Sequence, residues 1–265
     1  MNTRFIIQSN LIAENDFKEI QSACIRNKID FEEVSVIPFT KELPSFTTDE
    51  KENIYYGSTT FIDNVYNTLN KPKGVFFDPD AFLISNYIDR WGEYMLNSEA
   101  KITTINEFIM EDHHDKDLFF IRPNKDDKSF DGNVMEFGKL RNWQDSILQF
   151  DDTKLLADSK IIVSKPYNIK KEWRLFVVNG DIVGGSLYRE NFKLKKSKFD
   201  IPDEMIEFAH NRIAEYQPAK AFAMDIANCG DEHEYYIIEC GCINSVGFYH
   251  ANIERIIVSL ATLFE

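Results

Sequence analysis

The first 85 residues alternate between short strand-like segments and helical segments. The strand-like segments are apolar or place apolar residues at every second position, a period typical of half-buried strands. Between the first two, Phe17, Ile20 and Cys24 recur at the spacing of one helix face. Strands are predicted at residues 5–8, 31–37, 54–56 and 74–77, and helices at residues 14–27 and from the turn at 57–60 to about Leu69. This alternation indicates an open α/β sheet.

The middle of the chain predicts a β-loop-β-α unit. Thr104 and Glu107 have the spacing of a capping box, which marks the start of a short helix. After it, strands are predicted at residues 117–123 and 134–137, a polar loop at 124–133 and a helix at 139–150.

The rest of the chain is rich in strand patterns. A buried-type strand is predicted at residues 160–163, followed by a hairpin that turns at Asn179-Gly180, a strong hairpin dipeptide. A helix follows Pro202, a second hairpin pairs residues 221–227 with 234–240, and a helix at 253–263 ends the chain. The basic run 193–198 is predicted to be a solvated loop, with the binding of an anionic ligand as the alternative. This part is α+β with an antiparallel sheet.

The second hairpin carries two carboxylates in apolar surroundings. If its turn centres on Glu232, Asp225 and Glu239 are directly opposite each other, with Cβ atoms about 4.5–5.5 Å apart. Like charges at that distance repel unless a cation lies between them, and Asn244 could add a neutral oxygen ligand. Such an all-oxygen set suits Mg²⁺. The alternative is a pair of solvated carboxylates at a sheet edge.

Four cations adjoin apolar strand patterns, where an unpaired charge is costly. They require anionic partners, either a bound polyphosphate or carboxylates of the protein itself; both alternatives remain open from the sequence. The four are Arg122, Lys165, Arg174 and Arg189.

Composition and charge narrow the function classes. The chain has 265 residues, 43% of them hydrophobic, which excludes wholesale disorder. Its net charge of −14 disfavours nucleic acid and anionic membrane surfaces as partners. The longest apolar run, 256–264, is too short to span a membrane, no secretory signal is recognised, and the 4 cysteines are too few for a disulfide scaffold. We therefore expect a cytoplasmic, reduced protein.

The cations and carboxylates occur in the order of the ATP-grasp family, which the chain resembles. Residues 160–189 resemble the family's hinge, Glu-x-Arg strand and following hairpin, and residues 221–249 resemble its metal-binding end. Residues 119–132 are similar to its first phosphate-binding strand and loop, with Arg122 where most members have Lys. Together with Ser164-Lys165-Pro166 at the hinge, this resembles an atypical clade of bacteria and phages.

The resemblance implies an α+β ATP-grasp fold, in which two α+β subdomains grip ATP, preceded by an α/β pre-ATP-grasp domain. The implied boundaries are 1–85 for the pre-ATP-grasp domain, 86–155 for the small subdomain and 156–265 for the large subdomain. ATP and Mg²⁺ are the implied cofactors.

The resemblance also implies a role for each matching residue. The implied contacts are Arg122 with the α- and β-phosphates, Ser164, Lys165 and Pro166 with adenine, Glu172 with ribose, Arg174 with the γ-phosphate, Arg189 with the transferring phosphoryl group, and Asp225, Glu239 and Asn244 with Mg²⁺. Two departures are visible. Gly241 stands where most members have the Asn of a Glu-x-Asn motif, and the loop 124–133 has one glycine, Gly132, where a glycine-rich flap is common.

The implied activity is ATP- and Mg-dependent ligation of a carboxylate to an amine through an acylphosphate, on amino-acid, peptide or other small substrates. Two alternatives remain. One is phosphoryl transfer to another acceptor, which hydroxylamine trapping separates because only an acylphosphate yields a hydroxamate. The other is a nucleotide-binding module without catalysis, which the altered spacing between Glu239 and Asn244 favours slightly.

Overall fold

We analysed the fold in a computed structural model. It describes residues 2–38, 40–126, 129–147, 158–230 and 234–265. The predicted turn centre Glu232, the predicted end of the helix at residues 148–150 and the predicted boundary at 155/156 lie outside these residues.

The chain begins with a small parallel sheet flanked by two helices. Its strands are β1 (Thr3–Gln8), β2 (Asp30–Val34) and β3 (Glu52–Tyr56), in the order β2-β1-β3. Helices α1 (Glu14–Arg26) and α2 (Thr59–Thr68) follow β1 and β3, and Ser58 caps α2 by accepting a hydrogen bond from the Phe61 N–H. The α/β alternation predicted for these residues is therefore observed.

The prediction of a strand at residues 74–77 is wrong. This segment is extended and buried in part, and it makes one backbone hydrogen bond to β3, from Tyr55 N to Gly74 O at 3.4 Å. A Cβ atom at position 74 would lie 1.9 Å from the Asn53 carbonyl oxygen, so glycine permits the close approach. A side-chain amide described below, rather than a strand partner, holds the segment.

A four-stranded antiparallel sheet comes next, after helix α3 (Ile84–Trp91). Its strands are β4 (Lys101–Thr104), β5 (Leu118–Pro123), β6 (Asn133–Glu136) and β7 (Lys160–Ser164), in the order β4-β7-β5-β6. Helices α4 (Ile105–Phe108) and α5 (Phe137–Ile147) pack on it around Phe108, Ile121 and Phe137. The capping box of Thr104 and Glu107 is present.

The largest sheet has five antiparallel strands. They are β8 (Lys171–Val178), β9 (Asp181–Glu190), β10 (Lys193–Ser197), β11 (Ala221–Asn228) and β12 (Tyr235–Cys242), in the order β10-β9-β8-β11-β12. Helix α6 (Asp203–Glu215) lies between β10 and β11, and helix α7 (Ile253–Ala261) ends the fold with a short 3₁₀ turn. At the β8–β9 turn, Asn179 and Gly180 have φ angles of 53° and 88°, as a type I′ turn requires.

Both faces of the five-stranded sheet are covered over most of their area. On one face, Trp173 and Met224 pack against α3 and α6 through residues such as Trp91 and Met205. On the other face, the ends of β8 and β11 pack against the parallel sheet, α1 and α7. The remaining part of this second face is polar, and the candidate site lies there.

Three elements differ from the prediction. The basic run 193–198 forms the edge strand β10 rather than a loop, because β9 extends to Glu190 and pairs with it. Helix α3 and strand β4 are not predicted by the pattern. Helix α3 spans the expected boundary at 85/86, and β7 pairs within the four-stranded sheet although it follows the expected boundary at 155/156. The domain boundaries therefore stay predictions. No helix among the described residues is long and apolar enough to cross a membrane.

Candidate active site

Four polar side chains stand in register across the five-stranded sheet. Arg174 on β8 lies between Ser186 on β9 and Asp225 on β11, and Asp225 is paired in turn with Glu239 on β12. The predicted opposition of Asp225 and Glu239 is confirmed. A β-bulge follows at once, because Ile226 pairs with Ile237 and leaves Ile238 as the extra residue. The row thus ends at a local kink in the sheet.

Asp225 is buried and held by Arg174 in a two-point ion pair. Arg174 Nε donates to Asp225 Oδ1 at 2.8 Å, and Nη2 donates to Oδ2 at 2.7 Å. Burial raises the pKa of the Asp225 carboxyl, Arg174 opposes the rise, and the Glu239 carboxylate adds to it. Burial lowers the pKa of the Arg174 guanidinium, but the charge and hydrogen bonds of Asp225 outweigh it and leave that pKa raised. A second cation near Asp225 would relieve the repulsion from Glu239.

Glu239 connects the two larger sheets. Its Oε2 accepts a hydrogen bond from Nη2 of Arg122, which lies on β5 of the four-stranded sheet. The Nε of Arg122 is buried and has no hydrogen-bond partner among the described residues. Because an unpaired buried donor is costly, Arg122 is a donor with unused capacity at this junction.

A second charged pair lies two residues along β8 on the same face. Glu172 is buried and accepts hydrogen bonds from Arg189 Nη1 at 3.1 Å and from the Tyr188 hydroxyl at 2.8 Å. The Tyr188 hydroxyl is also 3.5 Å from Asp225 Oδ2, which links the two pairs. Burial raises the pKa of Tyr188 well above its usual value, and Asp225 and Glu172 add to the rise, so this hydroxyl stays a neutral donor.

Two stacked tyrosines form an aromatic wall beside these cations. The rings of Tyr188 and Tyr249 are 4.8 Å apart and inclined by 8°. The Arg174 guanidinium lies 5.7 Å from the Tyr188 ring centre and 5.1 Å from that of Tyr249, within cation–π range. Sequence reasoning placed Tyr249 near an acceptor site but missed Tyr188. Its signal was available, since Ser186 and Tyr188 place hydroxyls at alternate positions of an otherwise apolar strand.

A cleft of about 260 Å³ opens onto this cluster. Arg174, Glu239 and Tyr249 line one side, and Thr59 and Asp63 of α2 line another. Asp126, which follows β5, contributes from the four-stranded sheet. The cleft therefore lies where all three sheets of the fold meet.

The structure does not bring Asn244 to the carboxylates. Its side chain is 2% exposed, and its Nδ2 donates to Tyr55 O at 2.6 Å and to Gly74 O at 2.8 Å. Its Oδ1 accepts from Phe76 N at 2.8 Å. The amide thus fastens β3 to the extended segment at residues 74–77, and the expectation that it is a metal ligand is not carried into the proposed site.

Replacing Asn244 by Asp tests this structural role. An Asp would retain an oxygen ligand for a metal, but it removes both donors to Tyr55 O and Gly74 O and buries a charge. We expect the free energy of unfolding, measured by urea denaturation, to fall by about 2–4 kcal/mol. Asn67→Ala, at an exposed helix position, is the control and should change it by less than about 1 kcal/mol. An Asn244→Asp protein as stable as the wild type would contradict this role.

The predicted hinge residues lie apart from the charged cluster. The Ser164 hydroxyl donates to Asn97 Oδ1 at 2.9 Å, and Lys165 is an exposed side chain whose Nζ is 3.5 Å from Glu99 Oε2. Pro166 is exposed. The structure therefore gathers Arg122, Glu172, Arg174, Arg189, Asp225 and Glu239 through direct contacts, but it shows no contact from that cluster to residues 164–166 among the described residues.

The donor set decides how a metal could be held. In the described parts of the chain, no group of three His, Cys, Asp or Glu side chains could hold a metal ion. Gly241 lines the cleft beside Glu239 and offers no side-chain ligand. Two opposed carboxylates remain, and Mg²⁺ is commonly held by one or two carboxylates with phosphates and water. These residues fit a magnesium ion that arrives with a polyphosphate.

One family model matches the chain. It is described as an ATP-grasp domain, the second family of one ATP-grasp clade, and it matches residues 98–258, more than half of the chain. Among curated protein sequences, no match to this chain was found.

Several solved structures share the fold. The RimK domain protein ATP-grasp from Sphaerobacter thermophilus is similar with a TM-score of 0.62 and 12% identity, over 98% of this chain and 99% of that one. D-alanine–D-alanine ligase from Bacillus anthracis has a TM-score of 0.56 and 13% identity, over 100% and 98%. A RiPP-associated ATP-grasp ligase from Chryseobacterium gregarium, in complex with ADP and a leader and core peptide, has a TM-score of 0.54 and 15% identity, over 99% and 96%.

Proposed function

The chain belongs to the ATP-grasp family, in the second family of the matching clade, and on this premise we propose that it is an ATP- and Mg-dependent carboxylate–amine ligase. The membership and the structural likenesses confirm the predicted α+β ATP-grasp fold. The observation that carries the proposal is the row of Arg174, Asp225 and Glu239, which Arg122 joins from the facing sheet at the cleft. Cations and carboxylates at one junction suit a metal-bound triphosphate.

The nucleotide is proposed to lie between the four- and five-stranded sheets. Arg122, with an unused buried Nε, would donate to the α- and β-phosphates, and Arg174 to the γ-phosphate. The predicted adenine contacts of residues 164–166 and the ribose contact of Glu172 are retained as proposals. For Glu172, binding ribose would require exchange of the hydrogen bonds from Tyr188 and Arg189.

Asp225 and Glu239 are the residues that would hold Mg²⁺ in this proposal. When bound, the metal would neutralise phosphate charge and orient the γ-phosphate for in-line attack. Each carboxylate is compensated by an arginine in the structure, Asp225 by Arg174 and Glu239 by Arg122. The arginines are therefore placed to turn to the phosphates as the carboxylates accept the metal.

The chemistry proposed has two steps. A substrate carboxylate oxygen attacks the γ-phosphorus, the bond from that phosphorus to the bridging oxygen breaks, and ADP leaves with that oxygen. An acylphosphate results, and an amine nitrogen then attacks its carbonyl carbon and expels inorganic phosphate while the nitrogen loses a proton. Arg174 and Arg189 would stabilise the transferring phosphoryl group, which is catalysis by positioning and charge. No nucleophilic side chain of the protein is required.

Nucleotide binding without turnover is the second candidate, and one observation favours it. Each of the four cations singled out in the sequence has a carboxylate partner within the protein: Arg122 with Glu239, Lys165 with Glu99, Arg174 with Asp225, and Arg189 with Glu172. The cations alone therefore do not require a bound polyphosphate.

Hydroxylamine trapping tests the proposed ligase. The protein is incubated with ATP, Mg²⁺ and hydroxylamine, with amino acids and short acidic peptides as carboxylate donors, and hydroxamate and phosphate are measured. We expect both products from the wild type and neither from Asp225→Asn. A phosphorylated acceptor without hydroxamate would instead support phosphoryl transfer. Binding of an ATP analogue with no turnover of any donor would support the second candidate.

A further inference from the structure

The edge strand β10 combines positive charge with exposed apolar surface in an otherwise acidic protein. Four lysines fall within the six residues 193–198, whereas the whole chain has a net charge of −14. Lys195 pairs with Glu190 at 2.7 Å. Lys193, Lys196 and Lys198 form no ion pair with any described residue. A local positive surface of this kind is complementary to an acidic ligand.

The backbone of β10 can accept another strand. It is the first strand in the order β10-β9-β8-β11-β12, so β9 pairs with one of its edges, and no described strand pairs with the other. An extended peptide can add to such an edge through main-chain hydrogen bonds, with side-chain contacts giving specificity.

Lysines and a bulge on an edge strand usually prevent unwanted pairing, and β10 has both. Protection alone does not explain its apolar residues. Phe192, Leu194 and Phe199 are 62%, 68% and 87% exposed and alternate with the lysines. Exposed apolar residues on an edge strand promote association rather than prevent it. The strip therefore excludes basic partners and offers apolar contacts to an acidic one.

The strip leads to the candidate active site. Lys196 Nζ lies 5.8 Å from the ring centre of Tyr249, the residue that stacks on Tyr188 and contacts Arg174. Tyr249 lines both the cleft and a groove of about 490 Å³, and Lys196 and Phe199 also line that groove. A chain lying along β10 is thus one aromatic layer away from the cations proposed to meet the γ-phosphate.

We infer that β10 and the adjoining groove bind an extended acidic peptide and that a carboxylate side chain of this peptide is the group activated at the site. The second half rests on the proposed function, whereas the binding half does not. An acidic peptide is favoured over a nucleic acid because a free strand edge pairs with a polypeptide backbone and because the activated group is a carboxylate. The net charge of the chain also opposes nucleic acid.

Fluorescence polarisation without ATP tests the binding half. The probe is a fluorescein-labelled peptide of alternating glutamate and valine, compared with an alternating lysine and valine peptide and with labelled oligouridylate. We expect the acidic peptide to bind and Lys193→Glu/Lys196→Glu to weaken it by roughly tenfold. Leu194→Thr, which retains strand propensity, should also weaken it. The matched control Lys28→Glu/Lys41→Glu alters two exposed lysines of the N-terminal part and should leave affinity unchanged.

Tighter binding of the lysine peptide or of oligouridylate than of the acidic peptide would overturn the inference. Equal acidic-peptide affinity in the wild type and both β10 variants would overturn it as well. Binding of a non-hydrolysable ATP analogue is measured on the same samples by calorimetry. Loss of peptide binding alone in the wild type refutes this inference and leaves the proposed function standing, whereas absent nucleotide binding refutes the proposed function and leaves the peptide site standing.

Discussion

The double variant Arg174→Met/Asp225→Leu is expected to fold about as stably as the wild type and to have lost ATP turnover. Each single variant leaves one charge buried without its partner, which typically costs about 3–5 kcal/mol. Replacing both charges by apolar side chains removes that penalty, and such exchanges are often neutral. Turnover should fall roughly 10³-fold or more in all three variants, because a cation at the transferring phosphate typically contributes that much.

Urea denaturation and phosphate release, measured on the four proteins, check this expectation. Arg4→Met is the control, since Arg4 makes a similar two-point pair with Asp49 (3.2 and 2.6 Å) on the distant strand β1. Its partner is more exposed than Asp225, so stability should fall by only about 1 kcal/mol and turnover should persist. A double variant that still turns over ATP would show that this pair is structural.

Glu239→Gln is expected to abolish the tightening of ATP-analogue binding by Mg²⁺. A neutral amide is a poor magnesium ligand, and even substitutions one shell farther from a metal often cost 10–100-fold, so a loss of about 100-fold is expected here. Without Mg²⁺ the variant should bind the analogue at least as well as the wild type, because Arg122 is released from its carboxylate. This opposite behaviour in the two conditions distinguishes a metal ligand from a residue that merely supports the fold.

Calorimetric titration with and without Mg²⁺ measures both effects. Glu136→Gln, which alters an exposed carboxylate on β6 that pairs with Lys139, is the matched control and should behave as the wild type. If Glu239→Gln retained the full magnesium dependence, Glu239 would have to be removed from the proposed metal site.

The central carboxylate pair could be predicted because it depends on local geometry. In an antiparallel hairpin, residues equidistant from the turn face each other, so Asp225 and Glu239 could be aligned by counting. The count fails closer to the turn, where the bulge at Ile238 shifts the register by one residue. A bulge leaves little trace in the apolar pattern, and counting therefore located the pair but not the kink beside it.

The partners of the cations could not be predicted. Arg122 and Glu239 are 117 positions apart in the chain, and Arg174 and Asp225 are 51 apart. No local pattern links such residues, because their contact depends on the order of strands in one sheet and on the packing of two sheets. The sequence indicated only that these charges require partners.

The sequence by itself determined most elements of the fold, because apolar period and turn residues act over a few positions. It also indicated the ATP-grasp resemblance, through the order of its charged residues. Tertiary structure alone decided that Asn244 fastens β3 to the segment at residues 74–77, across 189 and 170 positions of the chain. It also made the basic run 193–198 an edge strand, because a lysine-rich segment becomes a strand only when a neighbour such as β9 supplies its backbone partners.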